Sequence, residues 1–282
     1  MIENEAGELG TGFWIKLDGK TYLCTNKHVV ARDSKVREKT KTIRVRANVL
    51  EKAVPTISLP LLLKSVTGKT FSVPLHLNDG SKRWRQHPDQ NVDVFVLDMT
   101  DFRFPEVLAL TAFDKSLLGT QQIILNCRIT AGEDVVVIGY PVGLRQGETN
   151  MPVFRTGMIA SQLGILLRGE IVDERGQKKT GNIRGFLIDG GIIQGSSGSP
   201  VILKPVSRSG TFIDGAGEGC GQFANFSGVS SGSLPFLLGI VTDTQLAPVD
   251  ADHTVPSYAG LGYALDIETV IETIEQFRKG NN

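Results

Sequence analysis

Cysteine is scarce in this chain of 282 residues. Only Cys24, Cys127 and Cys220 occur, an odd and sparse set that argues against the disulfide framework of a small secreted fold. Net charge is absent as well. Thirty basic residues balance 30 acidic ones, so no overall field draws the chain to nucleic acid or to an anionic membrane. No apolar run approaches the roughly 20 residues of a membrane-spanning helix. The opening residues Met1-Ile2-Glu3-Asn4-Glu5 are acidic and lack the apolar segment of a signal peptide. These absences set the expectation of a soluble, cytoplasmic protein with neither nucleic-acid nor membrane partners. Histidine is rare too. His76 and His87 lie near Asp79 and Asp89, but without the tight, repeated spacing of a metal site. They read as surface or hairpin residues, and no metal or cofactor is expected. The composition, 40 % apolar and 21 % charged, suits one large all-β unit or two smaller domains.

What the chain does contain is concentrated in three stretches. The first is Gly195-Ser196-Ser197-Gly198-Ser199-Pro200, followed by the apolar run Val201-Ile202-Leu203. Glycine lets a backbone turn take left-handed conformations, and such a turn can aim two N–H groups at one point before a serine hydroxyl. Clusters of Gly, Ser and Pro are commonly plain turns, so this stretch gains meaning only from the other two. Thr25-Asn26-Lys27-His28-Val29-Val30 follows a strand-like Tyr22-Leu23-Cys24, which is expected to deliver His28 at its end. Asp93 opens an apolar run, Val94-Phe95-Val96-Leu97, of buried-strand character. A serine hydroxyl is a poor nucleophile without a base in reach. A histidine, with a reference pKa of about 6.5, can supply that base, and a buried carboxylate can fix its tautomer. An α/β-hydrolase arrangement would need Gly-x-Ser-x-Gly opening a helix, with the histidine last. Here a proline and a β-branched run follow the serine, and His28 comes first.

Five further stretches run in a consistent order: Gly10-Thr11-Gly12-Phe13-Trp14-Ile15, Asn78-Asp79-Gly80 leading to Asn91-Val92-Asp93, Val137-Ile138-Gly139-Tyr140-Pro141-Val142-Gly143-Leu144, Thr156-Gly157-Met158-Ile159-Ala160-Ser161, and Gly260-Leu261-Gly262-Tyr263-Ala264-Leu265. With the His-Asp-Ser order they resemble the trypsin-like serine proteases, above all the HtrA-like (Deg-type) branch, over roughly residues 10 to 278. The resemblance implies an all-β fold of two packed six-stranded antiparallel barrels and a C-terminal helix. The first domain would span residues 1–110 with His28 and Asp93, and the second 111–282 with Ser197. It implies a serine endopeptidase that acts on protein or peptide substrates through an acyl-enzyme. His28, Asp93 and Ser197 would be catalytic, and the Gly195 and Ser197 N–H groups would form the oxyanion hole. A catalytically silent, protein-binding domain of the same fold is the alternative.

The resemblance also places a substrate pocket. Gly191, six residues before the nucleophile, would form its floor, with Gln194, Thr242, Thr244 and Leu261 around it. Thr242 would also hydrogen-bond the triad carboxylate. With no carboxylate at the floor, small or medium apolar residues are expected before the scissile bond, although Asp243 could attract a basic one. Ser196 stands where digestive relatives carry the Asp that pairs with a newly cut N-terminus, so no cleavage is expected to be needed for activity. No PDZ-like domain is expected after the last helix, unlike in many HtrA-like proteins.

Along the rest of the chain, Asp18-Gly19 marks a hairpin. Cys24 reads as a buried free thiol. The basic stretch 32–46 reads as a solvated loop running into a strand. Apolar runs at 57–63 and 71–77, interrupted by prolines, suggest bent or edge strands. Residues 113–118 suggest a short helix, and 175–181 a polar hairpin tip. The Gly/Ser-rich segment 207–233 reads as an expanded loop that could contact a regulatory partner. Asp266 should cap a final helix at about 267–278, with Ile267, Val270, Ile271, Ile274 and Phe277 on one face.

Overall fold

The computed structural model describes residues 1–50, 66–109, 111–172, 178–193, 195–205, 207–208, 231–232, 234–248 and 256–279. The 57–63 run, Gln194, residues 175–177 and the interior of the 207–233 loop lie outside them. The first part of the chain holds β1 (Ile2–Glu3), β2 (Leu9–Gly10), β3 (Phe13–Leu17), β4 (Lys20–Thr25), β5 (Thr42–Leu50), β6 (Val66–Pro74), β7 (Trp84–Gln86), β8 (Phe95–Asp98) and β9 (Ala112–Asp114). The second part holds β10 (Asp134–Gly139), β11 (Val153–Ile159), β12 (Leu167–Val172), β13 (Lys178–Ile183), β14 (Phe186–Asp189), β15 (Pro200–Leu203), β16 (Ser207–Arg208), β17 (Ser231–Gly232), β18 (Leu237–Pro248) and β19 (Pro256–Asp266). The α-helices among the described residues are α1 (Lys27–Val30), α2 (Ser34–Lys39), α3 (Gln121–Asn126) and α4 (Ile267–Lys279). None of them is long and apolar enough to cross a membrane.

One closed barrel forms, in the order β10-β11-β14-β19-β18-β15. Its interior is aliphatic and aromatic, built from Val135, Val137, Ile159, Phe186, Ile188, Val201 and Leu203. The expected second six-stranded barrel is not seen among the described residues. The first part forms two sheets instead, β2-β1-β5-β6 and β7-β8-β4-β3-β9. The strand course breaks between them for identifiable reasons. The backbone turns a corner at Gly10–Gly12, where a Cβ on Gly12 would stand 2.5 Å from Ile2 Cδ1. Pro74, which has no N–H to donate, ends β6. Single hydrogen bonds such as Arg83 N–H to Leu75 O, 2.9 Å, link the sheets beyond that point.

β8 shows how the sequence pattern places the site. Side chains alternate along a strand, and here both faces are buried. Phe95 and Leu97 enter the core between the two sheets. Val94 and Val96 enter a second core that also takes Phe13, Ile15 and Cys24 on one side, and Ile202, Ile240, Leu265, Val270 and Ile274 on the other. That second core is the seam between the barrel and the rest. Asp93, just before β8, therefore emerges at the seam.

Helix α4 forms where the 3.6-residue periodicity predicts. Asp266 Oδ1 accepts the Thr269 N–H at 3.2 Å, closing its first turn, and Ile267, Val270 and Ile274 are buried. Several shorter expectations need correction. Residues 34–39 of the basic stretch are helix α2, and Arg37 is buried rather than solvated. Residues 112–117 form β9 and a single 3₁₀ turn rather than an α-helix. Cys24 is a buried free thiol, pushed up in pKa by burial, whereas Cys127 is disulfide-bonded. His87 lies in the connection of the antiparallel β7–β8 pair, as the hairpin reading has it, but is buried.

Candidate active site

His28 does not sit at the end of β4. Asn26 intervenes as the cap residue, and His28 occupies the single turn of α1. Three consecutive side chains of that turn reach the segment 87–93. Asn26 Nδ2 donates to Asp93 O at 2.7 Å. Lys27, buried despite its charge, donates from Nζ to His87 O at 3.2 Å and Asp89 O at 3.0 Å. His28 donates its backbone N–H to Asp93 Oδ1 at 3.2 Å, and its ring Nδ1 is hydrogen-bonded to Asp93 Oδ2. The two side chains keep only 15 % and 17 % of their surface exposed, so their interaction is little screened by water. Arg37 closes the turn from α2, donating from Nη1 to Ala31 O at 2.6 Å and from Nε to Gln86 Oε1 at 3.1 Å. Burial pulls the Arg37 guanidinium down in pKa, and the charge of Asp93 opposes that.

Thr242, fully buried on β18, joins this pair to Ser197. Its Oγ1 donates to Asp93 Oδ2 at 3.1 Å. Its carbonyl accepts the Ser197 hydroxyl at 3.2 Å. The Ser197 hydroxyl, Thr242, the Asp93 carboxylate and the His28 imidazole thus form one hydrogen-bonded line that ends on Nδ1 of the ring.

The loop that presents Ser197 requires its glycines. Gly195 has φ +87°, and a Cβ there would stand 2.6 Å from Val142 N. Gly198 has φ +84°, and a Cβ there would stand 2.0 Å from Thr11 O. No L side chain fits either place. Within the loop Ser196 N–H donates to Ile193 O, Gly198 N–H to Val241 O, and Ser199 N–H to Ser196 O. Among the described residues, the Gly195 and Ser197 N–H groups donate to no backbone carbonyl. Thr11 anchors the loop to the first part of the chain. Its N–H donates to Ser197 O at 2.9 Å, its hydroxyl donates to Gly195 O at 3.4 Å, and its carbonyl accepts from Thr25 Oγ1 at 2.7 Å.

The remaining sequence candidates are placed as follows. Gly191, φ +55°, precedes the loop. Leu261 is half-buried on β19 opposite Asp189, and Thr244 pairs with Gly262 in the β18–β19 ladder. Gln194 and the side chains of Asp243 and Thr244 are outside the described residues. Sequence reasoning missed Asn26, Lys27, Arg37 and Arg155. Arg155 on β11 brings Nη2 to 3.3 Å from the position a Cβ on Gly191 would take. A lone arginine in the alternating Val153–Ile159 stretch was the available signal.

A family model of the trypsin-like peptidase domain matches residues 10–204. No curated protein matches the sequence. Among solved structures the chain is similar to an inactive form of Rv3671c from M. tuberculosis H37Rv, at 20% identity and a TM-score of 0.43, with 98% of this chain and 83% of that chain covered. It is similar to Deg5 at 16% identity and a TM-score of 0.43, covering 95% and 82%. It is similar to the MamO protease domain from Magnetospirillum magneticum at 13% identity and a TM-score of 0.42, covering 96% and 92%. On the family match, which takes in well over half of its length, the chain belongs to the trypsin-like peptidase domain family.

Proposed function

We propose that the protein is a serine endopeptidase that cleaves protein or peptide substrates through His28, Asp93 and Ser197. The observation that carries this reading is the hydrogen-bonded line from His28 through Asp93 and Thr242 to Ser197. In the proposed reaction His28 Nε2 takes the Ser197 hydroxyl proton as Oγ attacks the scissile carbonyl. Asp93 holds the imidazole through Nδ1 and stabilises the imidazolium that forms. The Gly195 and Ser197 N–H groups receive the developing oxyanion, each worth ~10²–10³ in rate. His28 then returns the proton to the leaving amine, which departs and leaves an acyl-Ser197 ester. Water, deprotonated by the same imidazole, hydrolyses that ester.

Only neutral imidazole can accept the proton, so peptide hydrolysis should rise with pH as His28 deprotonates. Ser197→Ala and His28→Ala should each lower kcat by about 10⁴-fold or more, with the circular dichroism spectrum and melting temperature retained. Peptide hydrolysis by Ser197→Ala at the wild-type rate rejects the proposal.

A further inference from the structure

Side chains along β11 alternate. Phe154, Thr156 and Met158 are exposed, whereas Arg155, Gly157 and Ile159 turn the other way. Ile159 is fully buried, and Arg155 stands opposite the buried Val137 in the β10–β11 ladder. Arg155 is thus a permanent cation on the barrel-facing side of a strand whose neighbours there are aliphatic. Its Nη1 is buried and, among the described residues, has no hydrogen-bond partner. A charged donor withdrawn from water without a partner is unfavourable, and it calls for an anionic acceptor. Gly191 presents no side chain to cover the guanidinium, and a Cβ there would stand 3.3 Å from Arg155 Nη2, in tight contact with it. A Cβ on Gly157, the next residue on the same face, would collide with Asp189 O at 2.4 Å. Gly191 also lies six residues before Ser197, at the start of the segment that ends in the Gly195 turn.

We propose that Arg155 sets the specificity of the cleavage, by receiving the carboxylate of an aspartate or glutamate immediately before the scissile bond. The proposal rests on the peptidase reading above. A guanidinium presents two parallel N–H groups to a carboxylate, and Gly191 puts no side chain of its own over that flank of the guanidinium. This replaces the apolar preference expected from Gly191, Thr244 and Leu261. A cation at the floor accepts an acid, and it repels lysine and arginine.

The test uses amidated peptides that differ only in the residue before the scissile bond: Glu, Gln, Leu or Lys. In the wild-type protein kcat/KM for Glu should exceed that for Gln and for Leu by about 30-fold or more. In Arg155→Gln the Glu-to-Gln ratio should collapse to about 1, whereas Arg155→Lys should keep part of it. A wild-type preference for Leu or Lys, or a Glu-to-Gln ratio unchanged in Arg155→Gln, overturns the proposal. Should Arg155→Gln fail to fold, the wild-type ranking and Arg155→Lys still decide it. Binding of the same peptides to Ser197→Ala, read by fluorescence anisotropy, separates the two readings. Selective binding of the Glu peptide with no wild-type turnover removes the peptidase reading and keeps Arg155. Equal binding of the Glu and Leu peptides removes Arg155 and leaves the peptidase reading to its own test.

Discussion

Thr242 carries two hydrogen bonds with different owners: its hydroxyl serves Asp93 and its carbonyl serves Ser197. A Thr242→Val substitution separates them, because valine keeps the β-branched shape and the carbonyl but loses the donor. A hydrogen bond to a charged group contributes about 1.5–3 kcal/mol. Loss of a donor that helps hold Asp93 should therefore lower kcat/KM by about tenfold or more, with KM little changed. A steady-state comparison in which kcat changes less than about twofold would show that Thr242 does not position the carboxylate. At this scale the chain order of His28, Asp93 and Ser197 was readable, and the structure joins the three through Thr242. The sequence was not readable where a common residue acts on a distant backbone atom. Lys27 and Asn26 stood in plain view beside His28. Nothing local indicates that their side chains would end on the carbonyls of residues 87, 89 and 93.

Helix α4 was legible because its apolar positions repeat over three turns and an Asp precedes them. The short helices were not. Four residues of α1 make little more than one turn, too short to show a period. Their caps were the remaining signals: Asp33 Oδ1 accepts Val36 N–H at 3.0 Å ahead of α2, and Thr120 Oγ1 accepts Ile123 N–H at 3.4 Å ahead of α3. Helix α4 also reaches the site. Glu272 accepts from Arg184 Nη1 at 2.7 Å and pairs with His87 Nε2 at 2.9 Å, while His87 Nδ1 accepts the Asp89 N–H. The hydrogen bond from Arg184, more than any other contact, holds the Glu272 carboxyl below its usual range. A depressed carboxyl pKa stabilises the fold above the ordinary glutamate value of about 4.3, and that contribution is lost as pH falls through the depressed value. With the Glu272 side chain 41% exposed, the Glu272→Gln substitution should cost about 1 kcal/mol at pH 7. The difference should shrink as pH falls through the depressed value. Urea midpoints of the two proteins at pH 7 and in acid measure this, and a gap that widens in acid contradicts it. In the same helix, Ile274→Ala should cost about 3 kcal/mol by opening a cavity at the seam.

At the scale of the molecule, the closed barrel supplies the serine loop and the two sheets supply His28 and Asp93. Thr11 and Gly198 join them at a point with no slack. Gly198→Ala would place a methyl group 2.0 Å from Thr11 O at a φ of +84°. Destabilisation of at least about 2 kcal/mol is expected, together with lost activity, and a variant with an unchanged melting temperature would show that the seam can relax. The expectation of two barrels came from the family resemblance and not from the strand pattern. Closure of a barrel is set by which distant strands pair, and that information is not local. An activated Ser197 nucleophile should react with a fluorophosphonate, and the mass and rate of labelling measure this. One adduct on Ser197 is expected in the wild-type protein, none in Ser197→Ala and strongly slowed labelling in His28→Ala. Full labelling of Ser197→Ala, or a wild-type protein that stays unmodified, would contradict that activation.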